Sequence, residues 1–274
     1  MEPPNVRYTR SADGCALAWV AFGAGPGNVY VSPVPWSHVT AFWRIPGYPQ
    51  MYEAIAARRT LVMYDARGTG LSDRNPDFGL EARLSDLDAV IKASGFDRVD
   101  IAAAGLEAGV AAAFAARYPD RARKLVLLDP VARGSDYMQQ PAIRALSSYR
   151  EMLDEDWDGY LATLSARIVG FEHTDRARAL ASVMAEASSP DAIREHLRQI
   201  EGFDTTEWLP RVKCPTLILM FPQQTASFPH LAEEFAAKIA GALTRTISWP
   251  HRFPLGPEAI EVMEAFLAEP EAAT

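Results

Sequence analysis

Residues 98–130 read RVDIAAAGLEAGVAAAFAARYPDRARKLVLLDP, and this stretch decides the fold. An apolar β-type run over 98–103 enters a turn bracketed by glycines. An alanine-rich helical stretch then starts at Glu107 and is stopped by Pro119, and a second β-type run follows over 124–128. Two buried strands joined by a helix form a crossover unit, and such strands lie parallel in a sheet covered on both faces.

The same alternation extends in both directions. Upstream, 15–22, 28–31 and Thr60–Tyr64 read as strands, and 80–94 carries apolar residues at helical spacing until Gly95. Downstream, Thr216–Met220 is a strand, 231–240 a helix, 243–249 a strand and 257–267 a final helix. This pattern predicts an α/β protein with a mainly parallel sheet and helices on both faces. Residues 135–206 hold no convincing strand and read as several helices with polar breaks. The predicted organisation is a core of residues 1–134 and 207–274 with a helical lid, 135–206, inserted above the strand ends, where open α/β sheets bind ligands.

Composition bounds the function. The chain has 274 residues, 49% hydrophobic and 23% charged, with a formal net charge of -8. A chain of this size buries a core without a disulfide or metal staple. Its acidic balance argues against a nucleic-acid groove and against a strongly anionic substrate. Cys15 and Cys214 match no metal or redox spacing and read as thiols in a reducing compartment. The opening residues lack an apolar signal core and the longest apolar stretch carries Glu107, so the expectation is a cytoplasmic protein with no membrane partner. Glycines 23, 25 and 27 lack the spacing and following helix of a nucleotide loop. His173, His196 and His230 are scattered and match no ligand spacing. No cofactor and no metal are expected, a small molecule is the expected partner, and the oligomeric state is left open.

Gly105 and Gly109 flank Glu107 symmetrically. This is the form of a G-x-S-x-G nucleophile elbow, a strained strand-to-helix turn that projects its central side chain over the sheet edge. The chain resembles the α/β-hydrolase family, and within it the bacterial branch whose members are often joined to adenylate or guanylate cyclase domains. The resemblance is carried by YDARGTGLSDR (64–74), LEARLSDLDAV (80–90), GLEAGVAAAFAARYPDRARKLVLLDP (105–130) and CPTLIL (214–219).

The departures from that family are informative. The resemblance implies serine at the elbow, where this chain has Glu107. It implies an acid after TLILM, where Gln224 stands in FPQQTASFP. It implies an oxyanion donor in the loop SPVPWSH, where Pro35 has no N–H at or beside the donor position. His251, in SWPHRF, matches the family's base, and Asp129 is placed to orient it.

Three readings follow. Glu107 is a carboxylate nucleophile, as aspartate is in the epoxide hydrolases and haloalkane dehalogenases of this fold, and His251 activates the water that cleaves the ester. Alternatively Glu107 and His251 form a general acid/base pair for elimination, cyclisation or rearrangement. In the third reading the site is inactive and the fold serves as a ligand- or partner-binding module. Val34, Pro35, Trp36, Ala108 and Tyr137 are expected around a largely apolar substrate. Tyr137, Tyr149 and Tyr160 are the lid tyrosines available as acids for epoxide opening. Ser32, Ser37 and His38 stand near the expected pocket mouth, and Asp65 and Arg67 are read as holding their loop.

Overall fold

A computed structural model describes residues 2–74, 77–223, 227–248 and 254–270. The strands are β1 (Arg7–Arg10), β2 (Ala16–Gly23), β3 (Gly27–Tyr30), β4 (Thr60–Tyr64), β5 (Val99–Ala104), β6 (Ala122–Leu128), β7 (Thr216–Met220) and β8 (Leu243–Thr246). They form one eight-stranded sheet in the order β1-β2-β4-β3-β5-β6-β7-β8. The β1–β2 and β2–β4 pairs are antiparallel and every other pair is parallel. β1, reading RYTR, was not foreseen: its side chains are largely exposed and carry no apolar alternation.

The core helices are α1 (Tyr48–Ala56), α2 (Leu80–Ala93), α3 (Glu107–Arg117), α10 (Pro229–Ala236) and α11 (Pro257–Ala268). Alternate residues along the central strands sort onto the two faces, as the period of two requires. Leu125 and Leu127 pack with α2, α3 and α10, whereas Val126 and Leu128 pack with α1 and α11. These strands are buried on both faces, which is why they read as continuous apolar runs.

Six helices lie between β6 and β7: α4 (Gly134–Gln139), α5 (Pro141–Ser147), α6 (Met152–Glu155), α7 (Trp157–Val169), α8 (Thr174–Ala187) and α9 (Pro190–Ile200). The two ends of this insertion are stitched together. Thr205 donates its N–H and its hydroxyl to the Ala132 carbonyl, both at 3.0 Å, and Gly134 donates to Phe203 at 2.8 Å. Arg133 and Asp204 form an isolated antiparallel bridge between these bonds.

β4 and β5 flank β3 on opposite sides, so chain order reverses at β3 and opens a crevice beyond its carboxyl end. Three segments converge there: the turn after β3, the β5–α3 turn, and Asp129 after β6.

Candidate active site

Glu107 is the first residue of α3. Gly105 ahead of it has φ of 59°, a left-handed conformation that side-chain-bearing residues avoid. The Gly105 N–H donates to Leu128 at 2.9 Å, and its carbonyl accepts from Val131 at 3.0 Å, which pins the turn to β6. Gly109 solves a different problem. A Cβ there would collide with the Thr205 hydroxyl, so its absence lets α3 lie against the segment leading to β7.

The Glu107 side chain is buried, and one of its oxygens is doubly held. Oε1 accepts from Arg83 Nη2 at 2.8 Å and from the Val34 N–H at 3.2 Å. Arg83 comes from α2, is itself buried, and stacks over the Phe203 ring at 5.1 Å. The sequence reading missed this arginine. It also made the donor loop doubtful because of Pro35, but the structure supplies a donor one residue earlier, at Val34.

Asp129 follows β6 with φ of 43°, a conformation that aspartate tolerates better than most residues. Its buried Oδ1 accepts from the Phe221 N–H at 3.0 Å and from the Ser227 hydroxyl at 2.8 Å. Asp129 is thereby fixed at the carboxyl ends of β6 and β7. His251 and Gln224 lie outside the described residues.

Glu107 and Asp129 face a cavity of about 390 Å³, a volume suited to a small organic ligand. Its other walls are dominated by aromatic and aliphatic side chains, including Trp36, Phe42, Met63 and Leu180. Val34 and Tyr137 line it as expected. Pro35 and Ala108 do not: Pro35 is buried in the turn, and Ala108 faces the core beneath α3 because the helix turns its side chain away from the strand ends. Of the three candidate tyrosines, Tyr137 alone lines the cavity, with its ring edge-on to Phe228. Tyr160 stacks on Trp157, and Tyr149 packs among the inserted helices.

His196, on α9, matches no ligand spacing in the sequence. It lines the cavity with its ring edge-on to Phe78 at 5.8 Å, and Phe78 packs against Val34. Burial, with a smaller contribution from the Arg83 charge, pushes this imidazole down to about 3, so it is neutral at physiological pH. Only the fold could reveal this placement, since α9 is brought over the sheet by the whole insertion.

The neighbouring polar residues hold loops. Ser32 donates to the Tyr64 carbonyl, Ser37 accepts from the Ala66 N–H at 2.8 Å, and His38 accepts from the Ala41 N–H at 3.2 Å. Arg67 is fully buried between Asp86 and Asp13, while Asp65 accepts the Leu71 N–H at 2.7 Å. Cys15 and Cys214 form no disulfide with one another. Among the described residues no cluster of metal-ligating side chains occurs, and no helix is long and apolar enough to cross a membrane.

The family described as alpha/beta hydrolase fold matches residues 24–174, more than half the chain. The chain belongs to the α/β-hydrolase fold family.

Individual proteins resemble the chain at modest identity. The protein named "Putative carbamate hydrolase RutD" from Caulobacter sp. (strain K31) is 29% identical over 189 residues, 65% of this chain and 66% of that protein. Among solved structures, a hydrolase from Pseudomonas aeruginosa PA01 superposes with a TM-score of 0.77 at 21% identity, covering 97% of this chain and 99% of the other. The enol-lactonase from Burkholderia xenovorans LB400 gives a TM-score of 0.77 at 18% identity, covering 96% and 100%. These two superpositions establish the shared fold.

Proposed function

We propose that this protein is a cofactor-independent hydrolase of a small, largely apolar electrophile, with the Glu107 carboxylate as nucleophile. The observation that carries the reading is the double hold on Glu107 Oε1 by Arg83 and the Val34 N–H at the wall of an apolar cavity. In an ester formed through Oε2, Oε1 becomes the carbonyl oxygen. The same two donors then stabilise the oxyanion that forms when water attacks. An arginine this close favours the charged carboxylate, which supports a nucleophile over a general acid.

An epoxide fits these groups. Oε2 attacks a ring carbon, the ring C–O bond breaks, and the alkoxide takes the phenolic proton of Tyr137. His251, the base implied by the family resemblance and oriented by Asp129, removes a proton from water, whose oxygen adds to the ester carbon. Collapse breaks the ester C–O bond, and the leaving alkoxide takes the imidazolium proton. The acid proton left on Glu107 returns to the Tyr137 phenolate, so the balance is epoxide plus water to diol. The hydrolytic names of the similar proteins agree with this reaction class. The text over residues 64–74 supports placement in the cyclase-associated branch.

Single turnover of an aryl epoxide such as styrene oxide in ¹⁸O water, followed by peptide mass spectrometry, tests the mechanism. Label in the peptide holding Glu107 is expected. Diol formation with no label there would eliminate the ester. A second reading, a non-catalytic binding module, is favoured by the ion pair itself, because Arg83 satisfies the carboxylate without any reaction. It predicts no turnover and ligand binding that survives Glu107→Gln.

A further inference from the structure

The cavity does not stop at the strand ends. Along β3 and the residues that follow it, Ser32, Tyr30 and Asn28 all line it, and alternate residues of a strand share one face. Asn28 lies four residues back from Ser32, so an arm of the cavity runs about 13 Å down the sheet from beside the turn in which Val34 holds Glu107. Ile55 of α1 and Met263 of α11 line it as well, which places this arm between the sheet and those two helices.

The sequence of β5 makes the room. In register, Tyr30 pairs with Ala102 and Asn28 with Asp100. On this face β4 carries Leu61 and Met63 and β6 carries Val126 and Leu128, whereas β5 offers only Ala102 and Ala104 above Asp100. Both alanines line the arm. Protein interiors are close-packed, so an open arm inside the core calls for a reason.

The inner end of the arm carries a polar group without a donor. Asn28 is 2% exposed, and its Oδ1 is buried and accepts no hydrogen bond among the described residues. Leaving a buried carbonyl in that condition is costly. The charges beneath it are matched among themselves: Asp100 accepts from Arg59 and from Arg123, each at 2.8 Å, and Glu264 accepts from Arg59 at 3.0 Å. The group that completes Asn28 is therefore a neutral donor and not a cation. A hydroxyl both donates and accepts, so it suits either orientation of the Asn28 amide.

We propose that this arm binds the apolar chain of an elongated neutral ligand, and that Asn28 receives a hydroxyl at the far end of that chain. A span of about 13 Å takes a chain of roughly ten atoms. This deepens the proposed function by naming the substrate class, a linear molecule with its reactive carbon at one end and a hydroxyl at the other. It rests on that reading for the reactive end alone.

Calorimetric titration with 8-methoxyoctan-1-ol and 1-methoxyoctane tests it, because the two ethers differ in a single donor at one end. The alcohol is expected to bind about fivefold more tightly, the value of one neutral hydrogen bond. Asn28→Leu keeps a similar shape without the amide, so the hydroxyl then meets an apolar wall. It is expected to remove or reverse the preference, moving the ratio of the two affinities by about fivefold or more. Ala102→Leu fills the arm midway and is expected to weaken both ethers about tenfold or more, which keeps the test decisive if Asn28→Leu folds poorly. Equal affinities in the native protein, as water at Asn28 would give, tighter binding of 1-methoxyoctane, or no binding of either probe would each overturn the proposal. So would a ratio unmoved by Asn28→Leu, or binding indifferent to Ala102→Leu. These titrations involve no chemistry, and styrene oxide carries no distal hydroxyl. Failure of the glutamyl-ester mechanism and failure of the Asn28 site are therefore read separately.

Discussion

Arg83 Nη2 lies 2.8 Å from Glu107 Oε1, so two buried side chains from α2 and α3 form an ion pair directly beneath the cavity. Neither charge is buried alone, and this dictates how the site should respond to substitution. Glu107→Leu or Arg83→Met alone leaves an uncompensated charge and is expected to cost about 3–5 kcal/mol of stability. The double substitution should cost much less than the sum of the two. Urea unfolding of the four proteins in the cycle measures this. Additive losses would mean that the pair does not act as one unit.

Asp129→Asn separates positioning from packing. Asparagine accepts the same bonds from Phe221 and Ser227 and tolerates the left-handed φ of 43°. Stability should change by less than about 1 kcal/mol. Turnover of an epoxide substrate should fall by roughly 10² or more if the carboxylate orients His251. Its dependence on pH should shift as well, since the imidazolium loses a counter-charge. Unchanged kcat and pH profile would restrict Asp129 to holding the β6–β7 ends.

Gly109→Ala places a methyl group against the Thr205 hydroxyl, in a region where Thr205 is fully buried. The expected loss is about 1–3 kcal/mol, from overpacking. Thr205→Ser, which removes a methyl beside that contact, should relieve part of it in the double variant. Thermal unfolding gives the comparison, and a neutral Gly109→Ala would show that α3 can move away from this segment freely.

Two buried groups set opposing pH slopes. Burial pushes the Asp65 carboxyl from 3.8 up to about 7, so between those values the folded state binds more protons than the unfolded state and stability falls as pH rises. His196 is pushed from 6.5 down to about 3, so the unfolded state binds more protons and stability rises with pH across that interval. Between pH 4 and 6.5 the two oppose, each with a slope of up to about 1.4 kcal/mol per pH unit. Asp65→Asn should tilt the stability profile towards a positive slope, and His196→Gln towards a negative one. Denaturant midpoints across this range read the tilt, and identical profiles for the two variants would refute both assignments.

The fold was legible in the sequence because buried parallel strands leave a local imprint. Thr60–Tyr64 and Thr216–Met220 have the bounds their apolar runs suggest. The bracketing of Glu107 by glycines also marked the turn, since Gly105 needs its φ and Gly109 its bare α-carbon. Elements without an apolar signature were invisible: β1 is an exposed edge, and α1 packs aromatic residues over a short span. The site was only half legible. Arg83 looks like any polar residue on an amphipathic helix, and its meaning lies 24 residues away in Glu107. His196 acquires its own from a helix whose placement no local pattern encodes.

The bonded neck at Ala132–Gly134 and Phe203–Thr205 has a mechanical corollary. Because the insertion leaves and rejoins the core at adjacent, mutually hydrogen-bonded residues, the segment that leads towards β7 is clamped beside the one that leaves β6.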